Sequence, residues 1–153
     1  MGKKAREIVE ISVPEIVNDL NKAYADEWLS LYLFWYSSRI TLNTNLKSIF
    51  EKIYQRDLKH AELISARIKT LGGTIIYNPA EMIRIGNCKY PDSINAKNEK
   101  EMLESLINYK RCLIEVFNRL IKKTHGKDFV TYGIIQELIK EEIEDEDMLE
   151  NLI

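Results

Sequence analysis

Four long segments of this chain space their apolar residues by three and four positions, which is the spacing of one face of an α-helix. The first and third segments each begin with a capping box, SVPE at 12–15 and NEKE at 98–101, which is typical of a helix N-terminus. The predicted helices cover about residues 12–41, 44–71, 98–124 and 128–153. We therefore predict an all-α chain.

The connections between these helices predict how they are arranged. Only a few residues join the first helix to the second and the third to the fourth, so each pair should form an antiparallel hairpin. About 25 residues separate the two hairpins, and the segment NPAEMIRIG (78–86) within them predicts a short helix, with Asn78 as its cap and Pro79 in its first turn. Two hairpins joined by one long crossover are typical of a four-helix bundle.

The length and charge of the chain limit its class. Its 153 residues suit one domain, which we expect to span 1–153 with an N-terminal extension at 1–12. The chain has no apolar run long enough for a membrane span and no apolar core of a signal peptide, so we expect a cytoplasmic location and no membrane segment. The net charge of −2 argues against a nucleic-acid binder, and Lys3, Lys4 and Arg6 are interpreted as a solvated basic terminus.

The second helix carries polar residues within its apolar face. That face is formed by Leu46, Phe50, Ile53, Asp57, His60, Ile64, Ile68 and Leu71. Burying a carboxylate without a partner costs roughly several kcal/mol, so Asp57 needs a compensating group. Taken alone, His60 is more often a hydrogen-bonded core histidine than a metal ligand.

The fourth and first helices repeat this pattern. Glu142 and Asp145 lie within the apolar face of the fourth helix, and Glu27 lies within that of the first. Taken alone, the run EEIEDED (141–147) is more typical of a solvated acidic face, but the spacing of Glu142 and Asp145 favours burial. Carboxylates and an imidazole that face one axis from several helices are typical ligands of a metal ion.

The third helix offers no carboxylate to this axis. One register of its apolar face includes Lys110, and a second register places Tyr109 inside and Lys110 at the border. In either register, a cation or a phenol stands where a metal site would have another acid. The remaining histidine, His125, is interpreted as a surface cation at a helix end, without a role in the site.

These residues and their spacing resemble the ferritin-like superfamily, and within it the Dps-like branch that includes thioferritins. The resemblance covers about residues 13–152 and includes THGKDFVTYGIIQELIKEEIE, which looks like the family's link into the last helix. In that family, a Glu from the first helix, a Glu/Asp-x-x-His pair from the second, a Glu from the third and a Glu-x-x-His pair from the fourth bind two irons. The resemblance therefore implies a ferritin-like four-helix bundle with an iron site.

The implied ligand set departs from the family pattern at two positions. Its members would be Glu27, Asp57, His60, Glu142 and Asp145. Asp145 stands where the family has a histidine, and Lys110 stands where the family has the glutamate of the third helix. The Lys110 ammonium could serve as an internal counter-ion for the carboxylates, which implies a weakened site that binds one iron or none.

The two cysteines allow two interpretations. In a cytosolic chain of this size, Cys88 and Cys112 would ordinarily be free thiols. Thioferritins carry two cysteines beside the metal site, one in the crossover and one on the third helix, and Cys88 and Cys112 look like that pair. The resemblance therefore implies a disulfide between them.

The resemblance also implies a function. It implies Fe(II) oxidation by peroxide or oxygen, with iron stored inside a hollow shell of identical subunits, twelve in family members. The alternative is a catalytically decayed shell or scaffold subunit in which Lys110 replaces the charge of the metal. The acidic balance disfavours a DNA-binding shell, and the lack of CxxC pairs disfavours a rubrerythrin-like peroxidase.

Overall fold

The computed structural model describes residues 2–153, which form six α-helices and no β-strand. In chain order the helices are α1 (Lys3–Glu7), α2 (Val13–Ile40), α3 (Thr44–Thr70), α4 (Pro79–Ile85), α5 (Glu99–Thr124) and α6 (Phe129–Glu150). The prediction of an all-α fold is confirmed, and the four long helices follow the predicted segments closely. Helix α1 is an addition, because the sequence pattern predicted only an extension there. Within residues 2–153, no helix is both long and apolar enough to cross a lipid bilayer.

Local signals in the sequence fix where the helices begin and end. Ser12 Oγ accepts a hydrogen bond from the Glu15 amide at 3.4 Å, and Asn98 Oδ1 accepts one from the Glu101 amide at 3.2 Å. After α3 the chain turns at Gly72, whose φ of 79° is a left-handed conformation that a residue without Cβ adopts readily. These caps set the ends of the helices and leave the apolar faces to set their packing.

The four long helices pack as two hairpins. Helix α2 packs along α3, α5 packs along α6, and the hairpins meet through α2 with α5 and α3 with α6. Phe34, Phe50 and Phe117 lie in the core without exposed surface, and the rings of Phe34 and Phe50 meet edge to face at 5.9 Å. The predicted four-helix bundle with one long crossover is confirmed, with the short helix α4 inside the crossover.

Polar contacts hold the crossover against the bundle. Asn21 on α2 donates from Nδ2 to the Thr74 carbonyl at 2.9 Å and accepts from the Ile76 amide at 2.9 Å. Further along, Cys88 in the crossover is joined to Cys112 on α5 by a disulfide, with 5.7 Å between the Cα atoms. This is the pairing that the family resemblance implies. The expectation of a cytosolic location, taken alone, favoured free thiols.

Candidate metal centre

The polar residues predicted to face one axis meet in the middle of the bundle. Glu27 comes from α2, Asp57 and His60 from α3, and Glu142 from α6, and none of the four side chains has appreciable exposed surface. One donor atom from each of these four residues lies within 4.8 Å of the others. Within the run 141–147, Glu142 and Asp145 are buried, so a solvated acidic face does not describe these two positions. Spacing within the apolar face is the better guide because a 3.6-residue period decides which side chains face the core.

His60 is held by three carboxylates. Its Nδ1 lies 3.1 Å from Glu27 Oε1 and 3.0 Å from Glu142 Oε1. On the other side of the ring, Nε2 lies 2.8 Å from Glu141 Oε2. A histidine that ligates a metal through one nitrogen usually donates the other N–H to a carboxylate, so Glu141 orients Nδ1 toward Glu27 and Glu142. The apolar spacing of α6 does not identify Glu141, although this residue precedes Glu142 directly.

Lys110 enters the same centre from α5 and is fully buried. Its Nζ lies 2.6 Å from Asp57 Oδ1, 3.0 Å from Glu142 Oε2 and 3.7 Å from Asp145 Oδ2. The ammonium also lies 5.1 Å from the centre of the Phe34 ring, within the range of a cation–π interaction. The register of α5 that includes Lys110 is therefore the one that describes the axis.

Tyr109, the member of the competing register, is buried as well. It faces the crossover, where its ring meets that of Tyr90 at 6.3 Å and its hydroxyl donates to the Asp26 carbonyl at 3.1 Å. Helix α5 is thus covered on two sides, by the bundle axis and by the crossover. Both registers describe buried residues for this reason.

Asp145 is the one predicted ligand that does not join the group of four donors. Arg56 on α3 donates from Nη1 to Asp145 Oδ1 at 2.6 Å, and its Nη2 lies 3.2 Å from Glu144 Oε2. Asp145 Oδ2 faces Lys110 at 3.7 Å. Asp145, which stands where the resembled family has a histidine, is therefore paired with two cations of this chain, Arg56 and Lys110. Arg56 was not identified from the sequence because its link to α6 depends on how the two helices are offset along their axes.

Both oxygens of Asp57 have partners from the chain. Oδ1 accepts from the Lys110 ammonium, and Oδ2 accepts from the Ser30 hydroxyl at 2.7 Å. Ser30 lies on α2 without exposed surface, one helical turn beyond Glu27. Its hydroxyl fixes the orientation of the Asp57 carboxylate.

The charges of the centre nearly balance without any ion. Burial and the neighbouring Glu142 raise the pKa of Glu27 to about 8, so its carboxyl is mostly protonated at pH 7. Burial also raises the pKa of Asp57, to about 6, against the opposing effect of Lys110. Burial alone would lower the pKa of His60, but its contacts with the acidic groups of Glu27 and Glu142 raise it to about 11. The three cations Lys110, His60 and Arg56 then face four carboxylates, those of Asp57, Glu141, Glu142 and Asp145.

The donors fit one divalent cation better than two. Among residues 2–153, Glu27 Oε2 has no hydrogen-bond partner although it is buried. A metal ion that displaces the proton of Glu27 would find this oxygen beside His60 Nδ1 and Glu142 Oε1. Two carboxylates and an imidazole suit a borderline ion such as Fe(II). A second cation among Asp57, Glu142 and Asp145 would occupy the position of the Lys110 ammonium. Glu27, His60 and Glu142 therefore suit a metal ion, whereas the Lys110 ammonium already lies among Asp57, Glu142 and Asp145.

Asp26, which precedes Glu27, ties the centre to the crossover. Its Oδ1 accepts from the Cys88 amide at 3.0 Å, and its Oδ2 accepts from Asn87 Nδ2 at 2.7 Å. Burial raises its pKa to about 6, against the effect of these hydrogen bonds. Asp26 was not predicted from the sequence because it lies outside the apolar face of α2 that contains Glu27.

The sequence of this chain matches a known protein family. Residues 17–153 match the family of ferritin-like domains. A protein named DNA protection during starvation protein, from Pyrococcus furiosus, is 27% identical over 159 residues, which cover all of this chain and 86% of that protein.

Solved structures agree with this match. A dodecameric thioferritin, the bacterioferritin-related protein of Bacteroides fragilis, superposes with a TM-score of 0.93 at 28% identity, over 98% of this chain and 92% of that one. The Dps protein of Vibrio cholerae superposes with a TM-score of 0.82 at 17% identity, over 92% of this chain and 89% of that one, which shows a shared fold alone.

Proposed function

The chain belongs to the ferritin-like family, and from this membership we propose that it is a subunit of a hollow homo-oligomeric shell that stores iron and protects against oxidative damage. The relative from Pyrococcus furiosus is named for protection during starvation, and the similar chain from Bacteroides fragilis is a dodecamer. Both observations support a protective shell built from copies of one chain.

The observation that carries the proposal is the convergence of Glu27, His60 and Glu142. His60 Nδ1 lies within 3.1 Å of a carboxylate oxygen of each glutamate, and Glu141 holds the opposite ring nitrogen. The three donors come from three helices, so the rigid bundle fixes their positions. Fe(II) is the substrate that this centre would bind and oxidise.

The electrons of the proposed reaction balance with peroxide as the oxidant. Each Fe(II) gives one electron and peroxide accepts two, so two Fe(II), one peroxide and two protons yield two Fe(III) and two molecules of water. A centre that holds one Fe(II) supplies one electron, so the second electron must come from another Fe(II), at a second centre or at the same centre after the first ion has left. Hydroxyl radical is avoided only when both electrons reach the same peroxide molecule. This chemistry links iron uptake to protection against oxidative damage.

Iron loading of the assembled protein tests the proposal. Fe(II) and peroxide are added in increments, and the iron that co-elutes with the assembly on size exclusion is measured beside the oxidation rate. We expect shell-bound iron in excess of one atom per chain. We also expect at least about 10-fold slower oxidation for Glu27→Ala combined with His60→Ala, since two of the three ligands of the site are removed.

The matched control is Glu62→Ala, which removes an exposed carboxylate from the same helix as His60. Its oxidation rate should equal that of the wild type. If the protein elutes as a monomer, or if the double variant oxidises iron at the wild-type rate, the proposal is wrong.

A second candidate is a shell subunit without oxidase activity. The contacts of Lys110 Nζ with Asp57 and Glu142 favour it, because they already compensate two carboxylates that a metal would otherwise hold. Such a subunit would assemble but would not accelerate Fe(II) oxidation above the buffer rate. The same loading experiment therefore separates the two candidates.

A further inference from the structure

We propose that Lys110 is a built-in cation that fills one half of the metal centre, so that each subunit binds one divalent metal ion, between Glu27, His60 and Glu142. This inference rests on the proposed function, because it specifies how the same centre handles Fe(II). It differs from the two-iron site that the family resemblance implies.

The position of the ammonium is the first argument. Lys110 Nζ donates charge-assisted hydrogen bonds to Asp57 Oδ1 at 2.6 Å and to Glu142 Oε1 at 3.2 Å, and it lies 3.0 Å from Glu142 Oε2. Asp145 Oδ2 lies at 3.7 Å and completes a set of carboxylates from α3 and α6. A metal ion bound by the same three carboxylates would overlap the ammonium.

The partners of Lys110 are themselves fixed, which is the second argument. Ser30 donates to the free oxygen of Asp57, and Arg56 donates to the free oxygen of Asp145. A second metal ion would therefore have to displace Lys110 and leave its ammonium buried without a partner. Removing one partner of a buried ion pair is strongly destabilising, so this displacement is unfavourable.

The other half of the centre is arranged differently, which is the third argument. Among the residues that the structure describes, the ion pairs of Lys110 are with Asp57, Glu142 and Asp145, and Glu27 is not one of them. Glu27 Oε2 is buried without a hydrogen bond, beside the imidazole that Glu141 orients. A metal ion held by Glu27, His60 and Glu142 would therefore share only Glu142 with the Lys110 ammonium.

Anaerobic Fe(II) binding to the assembled protein tests the inference. The wild type, Lys110→Glu and Lys122→Glu are dialysed against Fe(II) without oxidant, and bound iron per chain is measured. Lys122 is exposed on the same helix, so Lys122→Glu makes the same change of charge away from the centre. We expect one iron per chain for the wild type and Lys122→Glu, and two for Lys110→Glu, which restores a carboxylate.

A spectroscopic readout complements the count. After oxidation, isolated high-spin Fe(III) gives an EPR signal, whereas a coupled pair of ferric ions is silent in its ground state. We expect the signal in the wild type and its loss in Lys110→Glu. If Lys110→Glu does not fold, the wild-type count and its EPR signal decide the question.

The outcomes separate this inference from the proposed function. Two irons per wild-type chain, with a silent ferric pair, would overturn the role of Lys110 and leave the iron-storing shell intact. No bound iron in the wild type would overturn both the one-metal centre and iron oxidation at this site. One iron with an isolated Fe(III) signal supports both.

Discussion

Lys110 Nζ and Asp57 Oδ1 lie 2.6 Å apart in the middle of the bundle, and neither side chain has any exposed surface. A buried ion pair is weak evidence for stability when compared with an apolar pair, but loss of one partner leaves an uncompensated charge. The stability of the metal-free centre therefore depends on Lys110.

Replacing Lys110 by methionine should destabilise the metal-free protein. Asp57, Glu142 and Asp145 would lose their shared cation, and we expect the free energy of unfolding to fall by about 3–5 kcal/mol. Urea unfolding followed by circular dichroism measures the change. Lys122→Met, on the exposed face of the same helix, should change it by less than about 0.5 kcal/mol. Equal stability of the two variants would show that the Lys110 ion pairs are energetically neutral.

Removing the Glu141 carboxylate should weaken metal binding without unfolding the bundle. Glu141→Ala deletes the acceptor of the His60 Nε2 hydrogen bond, and we expect a loss of about 10-fold to 100-fold in Fe(II) affinity. Glu137→Ala is a matched control, because Glu137 and Glu141 both pair with Lys59 but only Glu141 contacts His60. Anaerobic competition with a chelator measures both affinities. An equal loss in both variants would contradict an orienting role for Glu141.

Both the fold and most of the centre could be predicted from the sequence, because their signals are local. Apolar spacing, capping residues and short connections each act within a few residues, and they placed Asp57, His60 and Glu142 on the core faces of their helices. Since the core faces of a bundle share one axis, side chains near the same height must meet. The convergence of these three residues with Glu27 follows from this geometry.

The partners of the centre could not be predicted in the same way. The contacts of Ser30 with Asp57, of Arg56 with Asp145 and of Glu141 with His60 each join residues at least 27 positions apart. They depend on the axial offset between helices, which apolar spacing does not determine.

The buried ion pair between Arg67 and Asp128 should make stability depend on pH. Burial alone would raise the pKa of Asp128, but hydrogen bonds from Thr131 and the charge of Arg67 lower it below its usual value of 3.8. A carboxylate whose pKa is lowered in the folded state stabilises the fold at pH values above its pKa in the unfolded state. This contribution is lost as the pH falls through its pKa in the folded state. We therefore expect the stability advantage of the wild type over Asp128→Asn to shrink between pH 7 and pH 3, roughly as the carboxylate is protonated.

Urea unfolding at the two pH values measures this dependence. Asp92→Asn, in an exposed position of the crossover, serves as the control and should change stability by less than about 0.5 kcal/mol at either pH. A constant difference between wild type and Asp128→Asn across this range would contradict a contribution from the Asp128 carboxylate.

Loss of the disulfide should destabilise the monomer fold. Cys88 and Cys112 are separated by 24 positions, and closing a loop of that size is worth about 3 kcal/mol in the chain-entropy treatment. Cys88→Ser combined with Cys112→Ser should therefore lower the free energy of unfolding by about 3 kcal/mol. The hydrogen bonds that Asp26 accepts from the crossover should still hold it, so α-helix content should be unchanged. An unchanged free energy of unfolding would show that the disulfide adds nothing to these contacts.

The most direct test of a centre shared by one metal ion and Lys110 is a crystal structure of the wild type grown with Fe(II) under anaerobic conditions. Anomalous scattering at the iron edge locates each ion without reference to the protein atoms. We expect one iron per subunit, bound by Glu27, His60 and Glu142, with the Lys110 ammonium still beside Asp57. Two irons that bridge Asp57 and Glu142, with Lys110 displaced, would contradict it.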